Sequence, residues 1–227
     1  MIDMFEFYLD TTDLQQLARF NKSIPLKGIT TNPSILAKSG VGLKDTLINC
    51  SKILGPEIRF HVQTVSKTTQ EIINEAEELN ALPYDIVVKV PTTEIGLAAI
   101  KELKNKRITV LATAIYSVQQ GFLAALCGAD YLAPYVNRID AMGVSGINVV
   151  GDIQLLLKQH GLVSKLLPAS FKNTQQVIDV LKLGVEAITL PVDIADQLIS
   201  HPAVQPAVKQ FENDWETTFG DKLSFES

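Results

Sequence analysis

Asp85-Ile86-Val87-Val88-Lys89-Val90-Pro91, then an amphipathic stretch over 93–105, then Arg107-Ile108-Thr109-Val110-Leu111-Ala112-Thr113, is the part of this sequence from which its architecture can be read. Two short apolar runs flank a segment whose apolar residues recur at helical spacing, so the local order is strand, helix, strand. A helix lying between two strands is the connection that parallel pairing requires. Lys89 is the anomaly, because a strand of this kind wants apolar side chains and an ammonium group is costly to remove from water.

The same alternation extends in both directions. Strands are expected near 5–10, 27–31, 57–64, 85–90, 107–113, 129–135, 164–170 and 186–190, with helical patterns after each. Asp10-Thr11-Thr12-Asp13 is a cap-rich entry to the first helix, and Asn32-Pro33 opens the second with proline in its first turn. Later helices are expected over about 68–80, 93–105, 116–127, 145–160, 173–183 and 192–199. Eight such units predict an α/β fold closed into a single (β/α)8 TIM barrel, and no G-x-G-x-x-G follows the first strand to favour an open dinucleotide-binding sheet. The tail over 202–220 exceeds what eight units need. Its Val204, Val208, Phe211, Trp215 and Phe219 recur at helical spacing, which predicts an additional C-terminal helix lying either across its own barrel or, favoured by the large aromatics, at a subunit interface of a homo-oligomer.

With 227 residues, 46% of them hydrophobic, and no linker or biased segment, the chain suits one domain over 1–227 with a sizeable core. A formal charge of −5 supplies no basic field for nucleic acid or an anionic membrane, so any phosphate must be held by a local cationic pocket. No basic leader opens the chain and no apolar run approaches a membrane span, which gives a cytoplasmic expectation. Cys50 and Cys127 are far apart and read as buried thiols in a reducing compartment, and His61, His160 and His201 lie on different elements without metal-ligand spacing. His61 reads as an interior histidine.

Strand side chains alternate between faces, and polar residues near the C-terminal ends of barrel strands point into the usual active-site mouth. On this rule Asp10 shares a face with Tyr8, Gln63 with His61, Lys89 with Val87, Thr113 with Leu111, Tyr135 with Ala133 and Tyr131, and Ser170 with Pro168 and Leu166. Singly, each has a structural explanation: Asp10 can cap the first helix, Asn32 can fix an Asx-Pro turn, Thr113 can satisfy a backbone group, and Lys89 can snorkel to water. Together they put an amine, an acid, amides, a phenol and hydroxyls around one mouth. Desolvation lowers the pKa of an amine and leaves it free to attack a carbonyl carbon, so the set suits carbon–carbon cleavage through an imine.

Three segments carry a family resemblance. Gly28-Ile29-Thr30-Thr31-Asn32-Pro33-Ser34 resembles the transaldolase family signature, Ile86-Val87-Val88-Lys89-Val90-Pro91 its Schiff-base lysine strand, and Ala133-Pro134-Tyr135-Val136-Asn137-Arg138-Ile139-Asp140 its sixth-strand segment. Leu167-Pro168-Ala169-Ser170-Phe171-Lys172 is similar to the family's phosphate-side segment. Within the family, Gln63 and Tyr135 resemble the short fructose-6-phosphate aldolases, since transaldolases proper generally carry glutamate and phenylalanine there. Two departures are an N-terminus a few residues longer than usual, where Met1 to Met4 could pack under the barrel, and Met142-Gly143-Val144 in a loop where smaller residues are common.

The resemblance implies a class I aldolase that needs no metal and no cofactor and acts on a sugar phosphate or hydroxyketone. Lys89 would form the Schiff base, and Tyr135 would relay a proton through a water held by Gln63 and Thr113. Asp10 and Asn32, with Thr31 in the same signature, would bind the dihydroxyacetone portion, while Arg138 and Ser170 would hold the aldehyde's phosphate. It also implies a ring-like assembly, a homodecamer of two pentamers embraced by the C-terminal helix. The alternatives are a transaldolase, which passes the three-carbon unit to a sugar-phosphate acceptor, and a non-catalytic oligomeric barrel that binds sugar phosphates.

Overall fold

The computed structural model describes residues 5–227, so the expectation for Met1 to Met4 lies outside the described residues. Eight parallel strands, β1 (Glu6–Asp10), β2 (Gly28–Thr30), β3 (Arg59–Gln63), β4 (Asp85–Pro91), β5 (Val110–Ile115), β6 (Tyr131–Pro134), β7 (Lys165–Leu166) and β8 (Ala187–Leu190), pair in the order β7-β6-β5-β4-β3-β2-β1-β8. The seam between β7 and β8 is drawn together by the Thr189 N–H, which donates to the Pro168 carbonyl at 3.2 Å. The result is a nearly closed (β/α)8 barrel.

The helices are α1 (Leu14–Asn21), α2 (Pro33–Ser39), α3 (Leu43–Leu54), α4 (Thr69–Asn80), α5 (Glu94–Asn105), α6 (Val118–Leu126), α7 (Val136–Asp140), α8 (Gly146–His160), α9 (Thr174–Lys182), α10 (Val192–Ile199) and α11 (Val204–Phe219). Most start on a side-chain cap: Asp13, Asn32, Thr68, Thr93, Ser117, Ser145 and Asn173 each accept from a backbone N–H of the first turn, and Glu71 completes a capping box with Thr68. The helical pattern after β2 resolves into two helices because Gly40 ends α2 in the left-handed region at φ 66°. Next to it, Gly28 lets β2 approach β3, where a Cβ would stand 1.9 Å from the Arg59 carbonyl oxygen.

Alternation along the strands divides the core in two. Leu9, Ile29, Val62, Val88, Ala112, Leu132 and Ile188 face outward under the helices, while Tyr8, Val87, Leu111, Tyr131, Leu167 and Ala187 fill the barrel interior. The bottom of the interior is polar but fully tied. Glu6 accepts from the Tyr8 hydroxyl at 2.6 Å, the Tyr131 hydroxyl at 2.9 Å and Lys165 Nζ at 3.1 Å, and Arg59 donates to the Tyr131 oxygen at 2.6 Å. Burial pushes the Glu6 carboxyl up, yet these hydrogen bonds outweigh it and hold the group below the usual carboxylate range.

On strand 7 the expected face is wrong. Leu166 belongs to the outer core and Leu167 to the interior, the reverse of the alternation through Leu166, Pro168 and Ser170. The expected strand over 164–170 is cut to Lys165–Leu166, since Pro168 has no N–H for the ladder, and Ser170 turns to φ 61°. α7, a five-residue helix at the end of β6, was too short to register as periodicity. The expected extra helix is present as α11. It buries no residue of its own, and Val204, Val208, Phe211 and Phe219 are exposed.

His61 is wholly buried between the rings of Tyr8 and Tyr131, which it meets edge-on at 4.6 and 5.3 Å between centroids. Burial, with the positive charges of Lys89 and Arg59 adding to it, holds its pKa well below the ordinary 6.5. The unfolded chain protonates this imidazole below that ordinary value while the folded chain does not, so stability is lost as the pH falls. Measured by urea unfolding between about pH 7 and pH 5, the wild type should lose up to about 1.4 kcal/mol per pH unit more than His61→Phe. Parallel pH profiles for the two proteins would show that the folded imidazole titrates normally.

Candidate active site

Lys89 lies on β4 in register with Gln63 of β3, and its side chain points into the barrel with Val87 beneath it. Only 5% of the residue is exposed. The amine donates to the Thr31 carbonyl at 2.6 Å. That carbonyl is aimed inward because the pairing of β2 with β3 runs one residue past the strand, the Thr31 N–H donating to the His61 carbonyl at 3.0 Å. Burial lowers the pKa of Lys89 below the ordinary 10.5, and the Asp10 carboxylate opposes the shift. A snorkelling lysine is thereby excluded.

The amine faces a cavity of about 200 Å³ at the C-terminal ends of the strands. Asp10, Asn32, Tyr135, Arg138 and Ser170 line it together with Lys89. Asp10 does not cap α1, a task that falls to Asp13, and instead accepts from the Thr30 hydroxyl at 2.7 Å. Asn32 does cap α2, accepting from the Ile35 N–H at 3.0 Å, which leaves its amide nitrogen as the group able to donate into the cavity. Thr113 pairs its hydroxyl with the Tyr135 hydroxyl at 2.8 Å. Burial raises the pKa of that phenol, against the pull of the Thr113 hydrogen bond and the Arg138 charge, so Tyr135 is a protonated donor at neutral pH.

Arg138 extends from α7 with its guanidinium carbon 4.9 Å from the centre of the Tyr135 ring. Ser170 reaches the cavity from its left-handed turn, not from a continued strand. Gln63 stands beside Lys89 in the ladder but does not line the cavity wall, nor does Thr113, whose contact with it is through Tyr135. Thr31 contributes its carbonyl and not its side chain, for its buried hydroxyl donates to the His61 carbonyl at 3.1 Å. The sequence reading missed Thr30 and Thr189, whose hydroxyls are 2.7 Å apart beside Asp10. Alternation could have found Thr30, because it pairs with Asp10 in register and follows the outward Ile29.

The transaldolase/fructose-6-phosphate aldolase family profile matches residues 7–226. The chain belongs to this family. Among solved structures it is similar to an arginine-to-lysine mutant of flavocytochrome b2, with 12% identity and a TM-score of 0.60 over 96% of this chain and 64% of that one. A mutant flavocytochrome b2 with benzoylformate gives 11% and 0.61 over the same shares, and a candidate isomerase from Sinorhizobium meliloti 12% and 0.63 over 86% of this chain and 53% of the other. The chain thus spans less than two thirds of the length of these proteins, and identities this low show a shared barrel alone. Among the described residues of this transaldolase/fructose-6-phosphate aldolase family member, no helix is long and apolar enough to cross a membrane.

The arrangement makes one titration testable. In the wild type, the pH midpoint for acetylation of the Lys89 amine should lie below 10.5, and Asp10→Asn should move it lower still, since the carboxylate is what favours the ammonium form. Peptide mass mapping after a pH series of acetic anhydride pulses reads both midpoints. An Asp10→Asn midpoint equal to or above that of the wild type would mean that the two groups do not sense each other.

Proposed function

We propose that this protein is a class I aldolase that reversibly cleaves fructose 6-phosphate to dihydroxyacetone and glyceraldehyde 3-phosphate. The observation that carries the reading is a lysine amine buried at the cavity floor, with one backbone acceptor, a depressed pKa and a carboxylate and a phenol lining the same space. Its neutral form attacks the ketone carbon and water leaves, giving an iminium. When the C3–C4 bond breaks, its electron pair flows into the iminium to form an enamine, and the C4 hydroxyl becomes the carbonyl of glyceraldehyde 3-phosphate by losing its proton. Protonation of the enamine at C3 and addition of water release dihydroxyacetone and the free amine.

Each proton step draws on a group with matching chemistry. Tyr135 is kept protonated and hydrogen-bonded to Thr113, so it serves as a shuttle, accepting a proton on one side as it passes one on, and not as a standing phenolate. Gln63 cannot titrate and has a positioning role. Asp10 and the Asn32 amide face the hydroxyls of the dihydroxyacetone portion. Arg138 supplies the charge-assisted fork for the aldehyde's phosphate, with the Ser170 hydroxyl beside it. The preference for cleavage over transfer rests on Gln63 and Tyr135, which resemble the aldolase branch of the family.

Borohydride treatment in the presence of dihydroxyacetone should reduce an adduct onto the Lys89 peptide in the wild type and leave Lys89→Ala unmodified. Assayed with fructose 6-phosphate, the wild type should release free dihydroxyacetone at a rate that erythrose 4-phosphate does not greatly divert. Dominant transfer with little release makes the protein a transaldolase, and an unmodified Lys89 peptide makes the barrel a binding scaffold.

We further propose that it assembles with copies of itself, a decamer by resemblance to the family. Val204, Val208, Phe211 and Phe219 of α11 and Phe225 beyond it are exposed, a run of apolar side chains that a second copy of this chain would cover. Sedimentation equilibrium should give a mass several times that of the 24.9 kDa chain. A monomer at micromolar concentration rules this out.

A further inference from the structure

Tyr116 has no part in the chemistry above, yet the backbone is bent to deliver it. The pairing of β5 with β6 shifts register between Ala112 and Ile115, and Ala114 adopts a left-handed φ of 57°, which only a minority of non-glycine residues do. On an unbroken strand Ile115 would share the interior face of Leu111 and Thr113, and Tyr116 would point out under the helices. Instead Ile115 is buried in the outer core, and Tyr116, packed against the edge of that core, reaches two residues that line the mouth, Tyr135 and Arg138. There its ring meets the Tyr135 ring edge-on, with 5.6 Å between centroids at 70°. Its hydroxyl oxygen accepts from Arg138 Nη1 at 3.2 Å. The Tyr116 backbone is itself pinned, its N–H donating to Gln120 Oε1 at 2.9 Å in the first turns of α6.

Arg138 is an exposed residue on a five-residue helix, and an arginine so placed has many rotamers to lose before it can grip a ligand. The Tyr116 oxygen removes much of that freedom and leaves the guanidinium above the Tyr135 ring, on the cavity wall. We propose that Tyr116 is a positioning residue that presets Arg138 for a terminal phosphate, and so sets the preference of the site for phosphorylated over unphosphorylated aldehydes. The assignment of the acceptor as a substrate rests on the aldolase reading. The positioning itself is a statement about anion binding.

Tyr116→Phe keeps the ring against Tyr135 and deletes the oxygen. In the synthesis direction with dihydroxyacetone, its KM for glyceraldehyde 3-phosphate should rise roughly three- to tenfold, the effect of losing one hydrogen bond. kcat should hold, and both constants for unphosphorylated glyceraldehyde should stay within about twofold of the wild type. Calorimetric titration with glycerol 3-phosphate, which has no carbonyl to react, should weaken by the same factor, and in an Arg138→Ala background Tyr116→Phe should have no further effect on it. Unchanged KM and affinity, or equal losses with both aldehydes, overturn the proposal. Failure of borohydride to mark Lys89 in the wild type would instead defeat the aldolase reading, and the glycerol 3-phosphate ratio would still decide whether Tyr116 positions Arg138.

Discussion

The hydrogen bond from the Lys89 amine to the Thr31 carbonyl is the contact around which the mouth of the barrel is organised. An ammonium has three donors to satisfy, and one backbone oxygen with a carboxylate nearby is a thin supply for a side chain this deeply buried. A neutral amine needs less, and its lone pair stays available. The ladder produces this environment unaided: the Thr31 N–H is tied to the His61 carbonyl, and the Lys89 carbonyl accepts from the Thr64 N–H at 3.0 Å, so neither partner can move without opening two inter-strand pairings. The burial of this amine is a property of where the strands end.

The two ends of the barrel solve opposite problems with the same residue types. At the bottom, the Glu6 carboxylate, two phenols, Arg59 and Lys165 close on one another, and a carboxylate with that many donors is stable because none of its hydrogen-bonding capacity is left over. At the top, Asp10 takes the Thr30 hydroxyl, and Tyr135 and Thr113 share one hydrogen bond, so the polar groups keep capacity to spend on a ligand. His61 lies wholly buried between the two sets, and burial, the main cause of its lowered pKa, keeps the imidazole uncharged in the interior.

Much of this could be read from residues because regular strands obey their alternation. Asp10, Lys89 and Thr113 lie on such strands, and counting by twos from the apolar interior residues put each on the correct face. The rule fails where the backbone stops being a strand. Thr31 follows the last residue of β2 and offers its carbonyl, so the hydroxyl that belongs near Asp10 is that of Thr30. Pro168 interrupts β7, which exchanges the inward and outward residues there, and the left-handed turn at Ser170 returns its side chain to the cavity by another route. Tyr116 was invisible for the same reason, since nothing in Ala112-Thr113-Ala114-Ile115 announces a register shift. The break between α2 and α3 was signalled by Gly40 and Gly42, which end one helix and begin the next.

Three described residues other than glycine have positive φ, and two of them, Ala114 and Ser170, adjoin the mouth. Such a conformation is unfavourable by roughly 1–3 kcal/mol and persists only where surrounding contacts over-determine it. At Ala114 those contacts are Ile115 sunk in the outer core and Tyr116 held by Arg138 and Gln120. At Ser170 they are its own carbonyl, accepting from the Asn137 N–H at 2.7 Å, and the preceding Ala169 carbonyl, accepting from Val136 at 3.0 Å. Both sets of contacts run to the segment that carries Tyr135 and Arg138. The strained turns on β5 and after β7 therefore grip the β6 end from either side, and the cavity wall formed by Tyr135, Arg138 and Ser170 is fixed by backbone that a regular barrel would not contain.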